Sequence, residues 1–210
     1  MNTDGWELAD PTDERAIFQL MVGQDAENPS ETALQTSVIL DGPNPIPRGK
    51  RALELGAGVG RLVRAIGLTG RFEEVVGVDS SISMTLASER YLNGCGGRVI
   101  LTDGLHIPFP DNHFDFVWSF TVFQHLVALA IIHRNLMEIR RVLIPNGLCR
   151  IQTIASGDQD PHNTELFDGR VFRSGEEFAD RFRAVGLEVV MVEQGLTHPQ
   201  HIFVTARKAA

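Results

Sequence analysis

The sequence predicts a single α/β domain built on a mostly parallel sheet. Between residues 46 and 155, short apolar segments alternate with longer segments of helical periodicity, which is the pattern of βαβ units. The apolar segments are nearly continuous hydrophobic runs, as expected for strands that helices cover on both faces of a sheet. Near the end of the chain, two apolar segments are separated by a link too short for a parallel crossover, so the last strand is predicted to be antiparallel.

Each element follows from a local pattern. Two helices are predicted ahead of the first strand, at residues 12–23 and 30–40, and three prolines in residues 41–49 end the second helix. Seven strands are predicted, six parallel and one antiparallel, at residues 51–57, 73–79, 97–103, 114–120, 147–155, 187–194 and 201–208. The connecting helices are predicted at residues 60–70, 81–94, 122–143 and 175–186.

The length of 210 residues fits one domain. We expect residues 1–45 to form an N-terminal helical cap and residues 46–155 to form a cofactor-binding core. Residues 156–210 would supply a substrate-side loop, the last helix and a terminal hairpin. Two segments, 1–30 and 156–173, are expected to flank the open side of the pocket.

Composition excludes several classes of protein. The net charge of −8 argues against non-specific binding to nucleic acid, which depends on neutralising phosphates, and Arg134, Arg140 and Arg141 are interpreted as a solvated helix face. No apolar run is long enough for a membrane span, and the polar, acidic N-terminus does not resemble a signal peptide. Two widely spaced cysteines, Cys95 and Cys149, are expected to be free thiols. A cytoplasmic protein is therefore predicted.

A glycine-rich turn follows the first predicted strand in the stretch ALELGAGVGRL. Gly56, Gly58 and Gly60 would let the backbone approach a ligand, and the helix that begins near Gly60 would direct its amides toward it. The dinucleotide fingerprint requires a small residue where this chain has Arg61, and the phosphate-loop pattern is absent. Glu54 would repel a pyrophosphate but suits an ammonium group. A plain strand-to-helix turn without a ligand is the alternative.

The next two predicted strands each end in an acidic residue. Asp79 can accept hydrogen bonds from ribose hydroxyls, because an ionised carboxylate is only an acceptor, and its alternative role is an N-cap for the helix from Ser81. Asp103 can accept a hydrogen bond from an adenine amine, and its alternative role is that of a turn residue. These positions indicate a cofactor that contains ribose.

The chain contains four motifs, which occur in this order: ELGAGVG, VGVDSS, LTDGLHIPFPDNHFDFVWSFTVFQHL and RVLIPNGLCRI. In this order and spacing they resemble the class I S-adenosylmethionine-dependent methyltransferases of the small, single-domain type. The resemblance covers residues 50–155 by motif and residues 174–208 by the order of helix and strands. It implies a Rossmann-like seven-stranded sheet in the order 3-2-1-4-5-7-6 with strand 7 antiparallel, and S-adenosylmethionine as the cofactor.

The resemblance also implies roles for residues at matching positions. The methionine part of the cofactor would be held by Glu54, Gly56, Ala57, Gly58 and Gly60. The ribose would bind Asp79, and the adenosine would lie beside Ser80 and Met84. The adenine would be flanked by Asp103, Gly104 and Leu105. The methionine side, facing the substrate, would be lined by Ser119, Phe120 and Thr121.

Four histidines are candidates for proton transfer or metal binding. His125 is the predicted catalytic residue, on the helix after the fourth strand, and simple packing is its alternative role. The neighbouring Gln124 is predicted to reach the cofactor's carboxylate or a water. His162, next to Asp158 and Asp160, and the pair His198 and His201 do not form a convincing ligand set, so no metal is expected.

The predicted reaction is an in-line transfer of the methyl group to an O, N or C atom of a small organic molecule, by a monomer or homodimer. The apolar lining is expected to come from Trp6, Phe18, Phe120, Phe123, Phe167 and Phe172, with Phe18 and Phe123 as alternative core residues. Three other functions stay open: a methyltransferase for protein or tRNA, a nicotinamide-dependent oxidoreductase, and a non-catalytic protein that binds an adenosyl cofactor.

Overall fold

A computed structural model of the chain describes Asp13 and residues 29–155 and 172–210. The helix predicted at residues 12–23 and most of the predicted substrate-side loop therefore lie outside the described residues. The same holds for the individual side chains of Trp6, Phe18, His162 and Phe167. The chain divides into two compact units, Asn2–Gly104 and Leu105–Ala210.

Seven strands form one sheet in the order β3-β2-β1-β4-β5-β7-β6, as predicted. Their bounds are β1 Gly49–Leu55, β2 Phe72–Asp79, β3 Arg98–Leu101, β4 Phe114–Ser119, β5 Leu143–Ile154, β6 Leu187–Gln194 and β7 His201–Lys208. Strand β2 pairs in parallel with β1 and β3, and β4 pairs in parallel with β5. Strand β7 runs antiparallel to both β5 and β6, which confirms the direction predicted for the terminal hairpin.

In its described residues, the first unit contains three helices, α1 Pro29–Asp41, α2 Arg61–Leu68 and α3 Ile82–Tyr91. Helix α2 buries Leu62, Val63 and Ile66 and packs on β2. Helix α3 begins at Ser81, whose side chain accepts a hydrogen bond from the Met84 amide at 3.2 Å. The N-cap is therefore Ser81, and the alternative role of Asp79 as the cap itself is not what the structure shows.

A glycine in the middle of β2 determines how closely the neighbouring turn can approach the strand. A Cβ atom on Gly77 would overlap the Cβ of Ala57 and would lie 3.0 Å from Val63 Cγ2 and 3.2 Å from Val99 Cγ2. Ala57 belongs to the glycine-rich turn, so Gly77 allows this turn to pack directly on β2. The sequence analysis did not single out Gly77, although a lone glycine within a strand often marks such an approach.

The second unit contains the helices α4 Leu129–Val142 and α5 Gly175–Ala184. The single helix predicted at residues 122–143 is wrong, because residues Phe123–His125 form a short 3₁₀ turn and Leu126 leaves the helical conformation with φ −85° and ψ 95°. Phe123, Gln124 and Leu126 are all buried. The apolar residues that predicted a helix here are therefore buried by a short turn and an extended residue instead.

A buried carboxylate anchors the segment that follows Leu105. Glu138 on α4 accepts hydrogen bonds from the Ile107 amide at 2.9 Å and from the Arg141 guanidinium at 2.8 Å. Arg141 also donates to the carbonyls of Ile107 and Phe109 at 2.8 Å each. The interpretation of Arg141 as part of a solvated face is therefore wrong: its charge is used to hold the 105–111 segment.

The charge state of this pair is set by opposing effects. Burial raises the pKa of Glu138, but the hydrogen bonds from Arg141 and the Ile107 amide outweigh burial, and the net pKa lies below its usual value. The hydrogen bonds with Glu138 likewise raise the pKa of Arg141.

None of the helices in the described ranges has the length and the apolar composition that a membrane span requires.

Gly77→Ala is expected to lower the free energy of unfolding by roughly 1–3 kcal/mol, because the added methyl group overpacks the contact between β2 and Ala57. Gly67→Ala is the matched control: a Cβ there meets nothing within 4 Å, and alanine is a better helix former by roughly 1 kcal/mol. Urea unfolding of both variants measures the two values. Equal stability of Gly77→Ala and wild type would show that the close packing of the turn on β2 is wrong.

Glu138→Gln is expected to cost roughly 3 kcal/mol of unfolding free energy at pH 7, because it leaves the Arg141 charge without its buried partner. The folded pKa of Glu138 is depressed, so its contribution is present above the unfolded value of 4.5 and is lost as the pH falls through the folded value. The difference between variant and wild type should therefore shrink in acid.

The control for Glu138→Gln is Asp180→Asn, which breaks an exposed pair of the same i,i+3 spacing with Arg183. The side chains of this pair are 61% and 45% exposed, against 4% and 24% for Glu138 and Arg141, so its loss should cost less than about 1 kcal/mol. Similar costs for the two substitutions, or a Glu138 effect that grows below pH 4.5, would contradict the anchoring role.

Candidate functional site

The glycine-rich turn connects β1 to α2 through three left-handed residues. The φ angles are 73° at Gly56, 55° at Gly58 and 85° at Gly60, a region that other residues rarely occupy. The amides of Gly56 and Ala57 both donate to the Val78 carbonyl, at 2.8 and 3.1 Å, so the turn remains attached to β2. Alternating left-handed glycines give a compact loop, in which Gly56 is half-buried and Gly58 and Gly60 are buried.

The carboxylate of Asp79, the last residue of β2, links this turn to the start of α3. Its Oδ2 accepts a hydrogen bond from the Gly58 amide at 2.7 Å, and its Oδ1 accepts one from the Ser81 amide at 2.9 Å. The side chain is half-buried. Asp79 therefore orients two backbone segments, a contribution that its position in the sequence alone did not reveal.

Glu54 lies at the end of β1 and is only 3% exposed. Its charge is coupled to that of Arg61, the first residue of α2: burial lowers the pKa of Arg61, and the negative charges of Glu54 and Glu31 oppose that shift. The Arg61 guanidinium donates to Thr32 and Gln35 on α1 at 2.9 and 2.6 Å. The residue that breaks the dinucleotide pattern thus connects the two helices α1 and α2.

The predicted adenine side follows β3. This strand ends at Leu101, two residues earlier than predicted, but the Thr102 amide still donates to the Asp79 carbonyl at 2.8 Å. Asp103 is exposed, and Gly104 has a φ of 75°. In the same unit, Ser80 is half-buried and Met84 is 2% exposed.

In the second unit, Leu105 is 42% exposed, and its carbonyl accepts a hydrogen bond from Arg134 at 3.2 Å. Ser119 ends β4 and is 2% exposed, and Phe120 is 6% exposed. Thr121 has a φ of 58°, and its amide donates to Gln152 Oε1 at 2.6 Å. Gln152 was missed by the sequence analysis, although a glutamine within the apolar run of β5 was a signal.

Gln124 and His125 lie on the 3₁₀ turn rather than on a long helix. The Gln124 side chain is 7% exposed, and its Oε1 accepts no hydrogen bond within the described residues. An amide oxygen in this state has the capacity to bind a donor from a ligand. Burial lowers the pKa of His125, which favours the neutral imidazole that a general base requires.

The two histidines of the β6–β7 turn are not arranged as metal ligands. His201 Nδ1 lies 2.6 Å from the hydroxyl of Thr197, and burial, followed by the influence of His198, lowers the pKa of His201 to about 4. Among the residues that the structure describes, no group of three or more His, Cys, Asp or Glu side chains could hold a metal ion.

The aromatic side chains expected to line a pocket fall into two groups. Phe120 contacts the rings of His201 and Phe203, with centroid distances of 5.9 and 6.1 Å. Phe123 and Phe172 are at most 1% exposed and both pack on Phe178. Phe123 and Phe172 are therefore core residues, which the sequence analysis had allowed only for Phe123.

Comparison with solved structures supports the fold. Phosphoethanolamine N-methyltransferase 2 of Haemonchus contortus, in complex with S-adenosyl-L-methionine, superimposes with a TM-score of 0.69 and 19% sequence identity. The similarity covers 84% of this chain and 52% of that one. At this identity, the comparison bears on the fold alone.

Two curated proteins are similar to nearly half of the chain. One is the ubiquinone/menaquinone biosynthesis C-methyltransferase of Cupriavidus necator, 38% identical over 102 residues, which are 47% of this chain and 41% of that protein. The other is the demethylmenaquinone methyltransferase of Geobacillus kaustophilus, 34% identical over 110 residues, 49% of this chain and 44% of that protein. The chain thus spans less than half the length of either relative.

The family comparison covers the segment that contains both the glycine turn and β4. A model of the methyltransferase domain matches residues 53–151. This range includes all four motifs that carry the sequence resemblance, and the sheet order is the one that the resemblance implied. The chain therefore shares the motif order and the sheet order of the class I S-adenosylmethionine-dependent methyltransferases, with a methyltransferase-domain match at residues 53–151.

Proposed function

We propose that this protein transfers the methyl group of S-adenosylmethionine to an O, N or C atom of a small organic molecule. The observation that carries the proposal is the Asp79 carboxylate, held by the Gly58 and Ser81 amides at 2.7 and 2.9 Å beside a turn of left-handed glycines. A carboxylate has about four acceptor positions, so Asp79 can orient the turn and accept ribose hydroxyls at the same time.

The donor and acceptor chemistry of the first unit fits the adenosyl cofactor. Glu54, a buried carboxylate two residues before the glycine turn, suits the ammonium group of the methionine part. Met84 offers an apolar surface beside the adenosine, and the exposed Asp103 can accept a hydrogen bond from the adenine amine. A pyrophosphate would bring two negative charges to the same carboxylates, so a dinucleotide fits less well.

The second unit offers the groups that we assign to the methionine part and to the acceptor. Ser119, Phe120 and Thr121 end β4 and begin the following turn, and Gln124 has an amide oxygen with capacity for a donor. Leu105 exposes an apolar side chain that can pack on an adenine ring. The assignments of Leu105 and of Ser119, Phe120 and Thr121 follow the family resemblance residue by residue.

The bound cofactor supplies a methyl group already activated by a sulfonium, so the protein's main contribution is orientation. Holding reacting groups in line is worth roughly 7–11 kcal/mol of the barrier. The fixed glycine turn and the Asp79 carboxylate serve this purpose, because neither needs to rearrange when a ligand arrives. If the acceptor atom must lose a proton, His125 is the proposed base, since burial keeps its imidazole neutral to lower pH than in a free histidine.

A small organic acceptor is favoured over protein or tRNA. The net charge of −8 opposes association with a polyanion such as tRNA. Both curated relatives are named for steps in quinone biosynthesis, and one of them is named as a C-methyltransferase. We therefore place carbon first among the three acceptor atoms, with a phenol or quinol ring as the leading class.

Asp79→Asn is expected to raise the dissociation constant for S-adenosylhomocysteine by roughly 10- to 100-fold, because hydrogen bonds to a charged group contribute roughly 1.5–3 kcal/mol. Asparagine retains one acceptor oxygen for the turn. Isothermal titration measures the affinity, and urea unfolding checks that the variant is folded. The control is Glu73→Gln, an exposed carboxylate of the same strand, which should bind as wild type does. Unchanged affinity in Asp79→Asn would eliminate the ribose role.

Transfer of a labelled methyl group from S-adenosylmethionine tests the function itself. The panel contains phenols and quinols, primary amines and carboxylic acids, with bulk tRNA and denatured protein as separate arms. We expect label in a small-molecule arm, and in ring carbons before oxygen or nitrogen. Label in tRNA or protein alone would contradict the acceptor class. Binding of S-adenosylhomocysteine without transfer in any arm would favour a non-catalytic binding protein.

A further inference from the structure

Thr121 occupies a backbone conformation that is unfavourable for its residue type. Three non-glycine residues in the described ranges have positive φ: Asn112, Thr121 and Asn146. Asparagine tolerates the left-handed region, whereas a β-branched residue there is a genuine outlier. Thr121 is the second residue after the end of β4, in the segment that the proposed function assigns to the cofactor's methionine part.

Gln152 holds Thr121 in this conformation. Its Oε1 accepts a hydrogen bond from the Thr121 amide at 2.6 Å, and its Nε2 donates to the Thr153 carbonyl at 2.7 Å. A backbone amide can only donate and a carbonyl can only accept, so a single orientation of the side-chain amide makes both bonds. Gln152 is fully buried in β5, where it is paired in register with Phe203 of β7.

The residues next to Thr121 are also fixed. Phe120 is buried against Phe203 and His201. The Thr121 hydroxyl donates to the Phe120 carbonyl at 2.7 Å. The turn is thus held from the sheet side by Gln152 and within itself by the hydroxyl. Backbone strain persists only where surrounding contacts over-determine the conformation, and such sites cluster at ligand-binding positions.

We propose that Gln152 is a positioning residue, which keeps Thr121 left-handed and so holds the segment Ser119–Thr121 in the conformation that binds the methionine end of the adenosyl cofactor. This inference rests on the proposed function, because that function assigns the segment to the methionine part. Gln152 itself lies in the sheet and acts through the Thr121 amide. Gln152 offsets the conformational strain at Thr121 in the free protein, so the binding free energy of the cofactor is not reduced by that strain.

A ligand pair separates positioning from general stability. S-adenosylhomocysteine carries the amino-acid end, whereas 5′-methylthioadenosine has the same adenosine without it. Gln152→Met removes the acceptor at similar volume, so the turn relaxes from the left-handed shape. We expect the dissociation constant for S-adenosylhomocysteine to rise about tenfold and that for methylthioadenosine to stay within about twofold of wild type, by isothermal titration.

Thr121→Gly provides the rescue. Glycine adopts the left-handed region without strain. The hydrogen bond from the Thr121 amide to Gln152, which we call the clamp, is then no longer needed. In the Thr121→Gly background, Gln152→Met should therefore raise the S-adenosylhomocysteine constant by less than about threefold. If Gln152→Met alone does not fold, recovery of folding and binding in the double variant is the expected result. The control is Thr153→Val, which removes a buried hydroxyl from the same strand and should leave the ratio of the two affinities unchanged.

The outcomes are distinguishable. Failure of the wild-type protein to bind S-adenosylhomocysteine would overturn the proposed function and the clamp with it. Binding by wild type, with no change or an equal loss for both ligands in Gln152→Met, would overturn the clamp and leave the proposed function standing. A tenfold loss that persists in the Thr121→Gly background would also overturn it, because the effect would then not depend on the strain at residue 121.

Discussion

The candidate cofactor site depends most on the Asp79 carboxylate and its own peptide group. The side chain accepts hydrogen bonds from the amides of Gly58 and Ser81, and the Asp79 carbonyl accepts one from the Thr102 amide. One residue thus ties together the glycine turn, the start of α3 and the chain that leads from β3 to Asp103. Three of the segments that we assign to the adenosyl cofactor are fixed by this residue, so their geometry is set before a ligand binds.

The magnitudes explain why the turn holds its shape. Each glycine costs roughly 0.5–1 kcal/mol of conformational freedom relative to alanine, and the turn has three. Two charge-assisted hydrogen bonds from backbone amides to Asp79 contribute roughly 1.5–3 kcal/mol each, which is enough to offset that cost. Gly77 adds a steric condition, since any side chain there would push Ala57 away from β2. The position of the turn against β2 therefore depends on one carboxylate and on one missing side chain.

Buried polar groups have a comparable role in the second unit. Gln152 holds the turn after β4, and Glu138 with Arg141 holds the segment after Leu105. In both cases a side chain from a regular element supplies a hydrogen bond that an irregular segment cannot make internally. These groups are costly to bury unless they are bonded, so each one specifies a single conformation of the segment that it contacts.

The fold was largely predictable from the sequence, and the site only in part. β6 and β7 have the predicted bounds, because apolar runs between turn residues define strands well. The glycine turn and Asp79 were predicted as separate features, but the bond between Gly58 and Asp79 spans 21 positions and has no local signature. The bonds of Arg61 to Gln35, of Glu138 to the Ile107 amide and of Gln152 to the Thr121 amide are likewise long-range. Residues 122–128 were assigned to a helix because apolar periodicity does not distinguish a helix from a 3₁₀ turn followed by an extended segment.

The most direct test of the central claim, that the turn and Asp79 form an adenosyl site, is calorimetric titration of the purified protein with S-adenosylhomocysteine and, separately, with NADH. Saturable binding of S-adenosylhomocysteine at one site per chain, with no heat from NADH, is the predicted result. Binding of NADH without binding of S-adenosylhomocysteine would contradict the claim.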